Sequence, residues 1–340
     1  MIEVNGVSKD YKMYHSNNGW LDSVKSLFSR THYWKKAVSD LNFHVREGEL
    51  VGFIGPNGAG KSTTVKMLSG VLTPTAGSIL VNGITPSNDR KTNAMHIGVV
   101  FGQRSQLYWD LPMEDTFQLF QRMYRIPAHD FRRNTAFFVE LLEMQSFYRT
   151  PVRQLSLGQK MRANLAAALL HDPKILYLDE PTIGLDVIAK TKIRRFLREL
   201  NEEKKTTVIL TTHDMDDIEE VCNRLMMIDD GRIIYDGGLP EFRDTFSGGT
   251  ILEVDFAQGE VVQGAFDLES FNLDDSRIQV TGQTDTTVTF KFHRAEIAVG
   301  EAISLITRKH DIRDLRLKEP ELEKTIGMIY ENNKRERVLG

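Results

Sequence analysis

Three features of the sequence predict an α/β fold, a mostly parallel sheet covered by helices on both faces. Short apolar runs suited to buried strands, at 50–54, 97–101, 175–178 and 207–211, alternate with helical stretches. The first run leads directly into Gly55-Pro56-Asn57-Gly58-Ala59-Gly60-Lys61-Ser62-Thr63, which fits G-x-x-x-x-G-K-[ST]. The third ends in two adjacent carboxylates, Asp179 and Glu180.

The glycine-rich stretch has the context its chemistry needs, a strand before it and a helix after it that Gly70 can end. Its glycines let the backbone turn tightly, so several N–H groups and a helix N-terminus converge on one anion. Lys61 is placed to reach the β- and γ-phosphates of a nucleotide, and the Ser62 hydroxyl to hold Mg²⁺. The pattern predicts a P-loop and a triphosphate pocket.

Composition bounds the rest. A chain of 340 residues suggests two domains, and 41% hydrophobic with 26% charged residues is ordinary for a globular protein. The net charge of −4 gives no support for a nucleic-acid partner, whose binding domains are usually clearly basic, and none is expected. The single cysteine, Cys222, rules out an internal disulfide and fits a reducing compartment; its apolar neighbours predict a buried, unreactive thiol. Met1-Ile2-Glu3-Val4 lacks the layout of a signal peptide, and no run approaches the roughly 18 apolar residues of a membrane helix. Any membrane-spanning part is expected on another polypeptide.

In chain order, 2–11 reads as a strand and turn. Within 13–36, Leu21, Val24, Leu27 and Phe28 share one helical face. That face predicts either a small helix packed on its own domain or a contact with a membrane partner or bilayer, to which Lys25, Arg30, Lys35 and Lys36 would lend charge. Leu41, Phe43 and Val45 alternate as a half-buried strand does, and 79–81 forms another. From 113 to about 150 the pattern turns helical, with Phe117, Phe120, Met123 and Tyr124 as one apolar set and Phe138, Leu141, Leu142 and Met144 as a second. These helices predict a subdomain at about 104–165 inserted into the α/β core. A helix follows from Leu155-Ser156-Leu157-Gly158-Gln159 to Leu170, another spans 187–200, and His213 stands just past the strand 207–211. Two further strands are expected at 225–228 and 232–235. Composition shifts near Gly248, dividing 1–246 from a small α+β domain at 247–340 with strands at 251–256, 277–281, 287–292 and 312–317 and helices at 297–306 and 321–330.

Carboxylates ending a strand downstream of a P-loop form the second half of a nucleotide-hydrolysing site. Asp179 can hold Mg²⁺, and Glu180 can orient or deprotonate the water that attacks the γ-phosphate. A divalent cation relieves the repulsion between such paired acids.

Together, the P-loop, Gln103, Leu155 to Gln159, Asp179-Glu180, Leu185-Asp186 and His213 occur in the order and spacing of the ATP-binding subunits of ATP-binding cassette (ABC) transporters, which 2–241 resembles. Gly102-Gln103-Arg104-Ser105-Gln106-Leu107 and Asp179-Glu180-Pro181-Thr182-Ile183-Gly184-Leu185-Asp186 resemble, more narrowly, the multidrug-type (daunorubicin-like) bacterial exporters. The resemblance implies a P-loop NTPase (RecA-like) core with an antiparallel β subdomain and the inserted helical one. It implies ATP and Mg²⁺ as ligands, a head-to-tail dimer with a second copy or a homologous subunit, and separate integral-membrane permease subunits at the cytoplasmic face of the cell membrane.

It also assigns roles. Leu155, Ser156, Leu157, Gly158 and Gln159 resemble the signature that covers the γ-phosphate held by the other subunit, with Leu157 replacing the usual first glycine. Gln103 would join Mg²⁺ and the attacking water to the moving partner, with Gln106 as its rival. His213 would contact the γ-phosphate, Asp186 would pack across the dimer, and Tyr11 would stack on adenine, near Tyr33 and Trp34. A rival class is a non-transport member of the group acting on DNA or ribosomes. The chain carries neither the long coiled coil of the first nor the two cassettes of the second.

Overall fold

The computed structural model describes residues 1–14, 32–101, 105–246, 249–256, 277–284, 286–294, 296–307, 312–318 and 322–339. The helical face expected at Leu21 to Phe28 lies outside them. The chain divides into two compact units, Met1–Gly237 and Gly238–Gly340.

The first unit holds nine strands among its described residues: β1 (Ile2–Tyr14), β2 (His32–Val45), β3 (Leu50–Ile54), β4 (Ala76–Val81), β5 (Ile97–Phe101), β6 (Ile175–Asp179), β7 (Thr207–Thr211), β8 (Arg224–Asp229) and β9 (Arg232–Gly238). Six of them form one sheet in the order β5-β6-β7-β3-β8-β9, parallel from β5 through β8. Its central strand β3 is buried at every position, as a strand covered on both faces must be. β2, β1 and β4 make a separate antiparallel sheet. The two sheets share one core, in which Ile2, Val4 and Phe43 pack with Val51, Phe53, Tyr177 and Ile209. Burying each such side chain stabilises the fold by about 1.5–3 kcal/mol.

Helices cover the parallel sheet closely. A Cβ at Gly52 would lie 2.6 Å from Ile218 Cδ1 on α7 (Met215–Val221), and one at Gly98 would lie 2.6 Å from the Ala168 carbonyl on α5 (Leu157–Leu169). The expected helical insertion is present as α3 (Met113–Met123) and α4 (Ala128–Leu141), entered at Pro112 and Pro127. Phe117, Phe120 and Phe138 are buried, whereas Met123 is 59% exposed. Tyr124 instead stacks on His171, ring centroids 4.0 Å apart. The strand expected at 41–45 is longer, since β2 begins at His32 and pairs with β1 out to Tyr14.

The second unit begins with α8 (Leu239–Phe246), ahead of the composition change near Gly248. Four strands among its described residues, β10 (Thr250–Phe256), β11 (Ile278–Gln283), β12 (Thr287–Phe292) and β13 (Ile312–Lys318), form an antiparallel sheet in the order β11-β12-β10-β13. Leu252, Val254, Phe290 and Phe292 pack with Ile297, Ala302 and Ile306 in a core of its own. No helix among the described residues is long and apolar enough to cross a membrane.

Candidate active site

The P-loop connects β3 to α1 (Lys61–Leu68), whose N-cap Gly60 takes φ 115°. A Cβ there would lie 2.8 Å from the Ala37 carbonyl, so only glycine lets the loop close on its own domain. Gly58, at φ 85°, has open space where a Cβ would stand, so what calls for glycine there is the left-handed backbone and not crowding. Lys61 Nζ donates to the carbonyls of Gly55 at 2.5 Å and Pro56 at 3.2 Å, stapling the loop around its ammonium group. Burial lowers the pKa of Lys61, while the carboxylates of Glu180 and Asp179 oppose that shift.

Parallel pairing brings the other half of the site alongside. β6 sits between β5 and β7 with Phe101, Asp179 and Thr211 in register at the strand ends. Asp179 Oδ1 accepts hydrogen bonds from Thr211 Oγ1 at 2.6 Å and Ser62 Oγ at 3.2 Å. Glu180 has φ 56°, a left-handed conformation that costs a non-glycine residue about 1–2 kcal/mol. Its N–H donates to the Thr211 carbonyl at 2.9 Å, and its Oε2 lies 2.7 Å from His213 Nδ1.

These groups surround one cleft of about 970 Å³. The P-loop residues Gly55, Pro56, Asn57, Gly58, Gly60, Lys61, Ser62 and Thr63 line it with Asp179, Glu180 and His213, while Ala59 is buried beneath. Lys66, Val71, Phe101 and Ile183 also line it, and sequence reasoning missed them. Phe101 was within reach, as the residue ending the strand beside Asp179.

Leu155 to Gln159 stand apart from this cleft, since none lines it. Ser156 caps α5 in a reciprocal box, its Oγ accepting from the Gln159 N–H at 3.2 Å while Gln159 Oε1 accepts from the Ser156 N–H at 2.9 Å. Leu157 is 50% exposed. A Cβ at Gly158 would meet Ala189 Cβ at 3.2 Å, so α5 starts against α6 (Val187–Lys204). Asp186 caps α6 by accepting from the Ala189 N–H at 2.8 Å, and Val187 and Ile188 beyond it are exposed. Tyr11 stands on β1 opposite Lys35, outside the cleft lining, with Lys9 Nζ 5.6 Å from its ring. Gln103 lies outside the described residues. Its rival Gln106 is tied to α5 through the Asn164 side chain and carbonyl and does not line the cleft.

Residues 38–183 match the family model described as ABC transporter. The ABC transporter ATP-binding protein NatA of Bacillus subtilis (strain 168) is 33% identical over 204 residues, 60% of this chain and 82% of that protein. A Nod factor export ATP-binding protein I, from Ralstonia nicotianae (strain ATCC BAA-1114 / GMI1000), is 38% identical over 233 residues, 68% of this chain and 71% of that protein. This chain belongs to the ATP-binding subunits of ABC transporters. Solved structures agree. The ATP-binding cassette MJ0796, a dimer in a post-hydrolysis state bound to ADP and Pi, superposes with a TM-score of 0.59 at 28% identity, over 70% of this chain and 99% of that one. The cbiO1 protein of Clostridium perfringens, part of the ABC transporter complex cbiONQ, gives 0.58 at 26% identity, over 71% and 89%. The expected RecA-like core is therefore present, and this ABC subunit binds and hydrolyses ATP.

Proposed function

We propose that this ABC subunit powers an exporter of the multidrug (daunorubicin-like) type, as a head-to-tail dimer on Mg-ATP. The observation that carries the reading is the separation of the two half-sites. Lys61, Asp179, Glu180 and His213 surround one cleft, while the capped N-terminus of α5 stands outside it, exposed beside the apolar Leu157, Val187 and Ile188. A second copy would bring Ser156 and Gly158 to the γ-phosphate across that apolar surface, with Asp186 at the contact.

Ser62 and Asp179 present two oxygen donors within 3.2 Å of each other, a set that suits Mg²⁺ completed by phosphate oxygens and water. When bound there, Mg²⁺ would neutralise charge on the β- and γ-phosphates. Lys61 would bind those phosphates, Glu180 would take the proton of the attacking water, and His213 would contact the γ-phosphate while holding the Glu180 carboxylate. Gln103 would complete the Mg²⁺ ligands.

Export is supported by the relative named for Nod factor export. The subunit would act at the cytoplasmic face of the membrane through separate permease subunits. The 247–340 region would be an accessory domain that keeps subunits near each other after nucleotide leaves. Affinity purification from solubilised membranes tests this. A co-purifying polytopic membrane protein supports it; ribosomal proteins or DNA-repair factors in its place contradict it.

A further inference from the structure

Behind the cleft lies a buried polar cluster that the site chemistry does not use. Asp217, on α7, is 1% exposed, and its carboxylate takes three donors from three elements. Thr182 Oγ1 donates to Oδ2 at 2.5 Å, Thr212 Oγ1 to the same oxygen at 3.0 Å, and Arg194 Nε on α6 to Oδ1 at 2.6 Å. Thr182 and Thr212 are themselves buried, at 3% and 1%. Arg194 neutralises the acid and reaches on to Glu220 at 2.8 Å and Asp214 at 3.2 Å. A buried carboxylate persists only when its charge is paired and its oxygens are hydrogen-bonded, and here Arg194 pairs the charge and each oxygen accepts at least one donor.

The positions of the two threonines give the cluster its meaning. Thr182 stands two residues past Glu180, in the turn where the Leu185 N–H meets the Thr182 carbonyl at 3.2 Å. Thr212 stands between Thr211, whose carbonyl takes the Glu180 N–H, and His213. Glu180 holds a left-handed φ of 56°, a conformation that lasts only where its surroundings over-determine it.

We propose that Asp217 is a positioning residue for ATP hydrolysis, clamping the turn after Glu180 to the strand end before His213. It rests on the roles proposed for Glu180 and His213. Through the clamp the carboxylate and the imidazole keep their 2.7 Å contact, and the cleft face of the turn stays in place while nucleotide exchanges.

Thr182→Val and Thr212→Val remove one hydroxyl each at nearly constant volume, and Thr182→Ser restores it. Turnover at saturating ATP and equilibrium ATP binding are measured on the full chain, with thermal unfolding to confirm folding and Glu180→Gln as benchmark. Each valine variant should lose about tenfold or more in turnover with ATP Kd within about threefold, and the serine variant should recover most of the loss. Because both hydroxyls act through one carboxylate, the double variant should lose less than the product of the single losses. Valine variants within about twofold of wild-type turnover, beside an inactive Glu180→Gln, would overturn the clamp and leave the site reading standing. Parallel loss of binding and turnover would also overturn it, as a purely structural role. Activity in Glu180→Gln itself would instead strike the reading of Glu180.

Discussion

His213 Nδ1 lies 2.7 Å from Glu180 Oε2, at the ends of adjacent parallel strands, so the imidazole and the carboxylate form one unit facing the P-loop. Glu180 has a second anchor in its backbone N–H but no other described partner for its carboxylate. His213→Ala should therefore lower turnover by about a hundredfold, the usual size of a lost acid–base positioning group, with ATP affinity nearly unchanged. Steady-state ATPase kinetics beside equilibrium binding checks this; a fall confined to affinity would move His213 out of the chemical step.

The proposed dimer shares its sites. Lys61→Ala removes the group that staples Gly55 and Pro56, and Ser156→Arg blocks the capped N-terminus of α5 in the partner's site. Mixing the two variants should rebuild at most one composite site per dimer and restore part of the activity that each lacks alone. Full activity of Ser156→Arg alone would contradict sharing.

His171 makes the stability of the first unit sensitive to acid. Its Nε2 lies 3.0 Å from the Ile97 carbonyl, its ring stacks on Tyr124, and burial pushes its pKa down from 6.5 to about 4. The folded chain thus keeps this ring neutral where the unfolded chain protonates it. The contribution is fully present above pH 6.5 and is lost as pH falls toward 4, by at most about 1.4 kcal/mol per pH unit. Denaturant midpoints of wild type and His171→Gln between pH 7 and 4 test it; equal slopes for the two proteins would show that His171 does not titrate on unfolding.

The sequence made the chemistry easier to see than its scaffolding. The P-loop was legible because each residue has a backbone or phosphate role fixed by spacing, and β3, β6 and β7 because strands buried on both faces are apolar throughout. Asp217 was hidden. It sits in the acidic run from Asp214 to Glu220, which reads as a solvated helix face, and only the fold brings Arg194, Thr182 and Thr212 to it. The short α2 (Arg90–His96) was missed too, although Asp89 accepts from the Thr92 N–H at 3.0 Å, a capping pattern that a seven-residue helix leaves weak. Met123 continues a helical apolar face on paper, yet it is exposed, and Tyr124, four residues past Phe120, carries that face on by stacking against His171.

Cys222 closes α7 at 5% exposure, and burial raises its thiol pKa, with Asp217 adding to the shift. A thiol reagent at pH 8 should leave the folded protein almost unlabelled and react fully in guanidinium. Fast labelling of the folded chain would mean that α7 opens readily, against the clamp as well.

The account turns on Glu180 as the group that activates water, and Glu180→Gln tests it most directly. Turnover should fall by at least about a hundredfold while ATP affinity stays largely intact and closed dimer accumulates with ATP, whereas Lys61→Ala should weaken ATP binding itself. Near-wild-type turnover in Glu180→Gln would contradict the assignment.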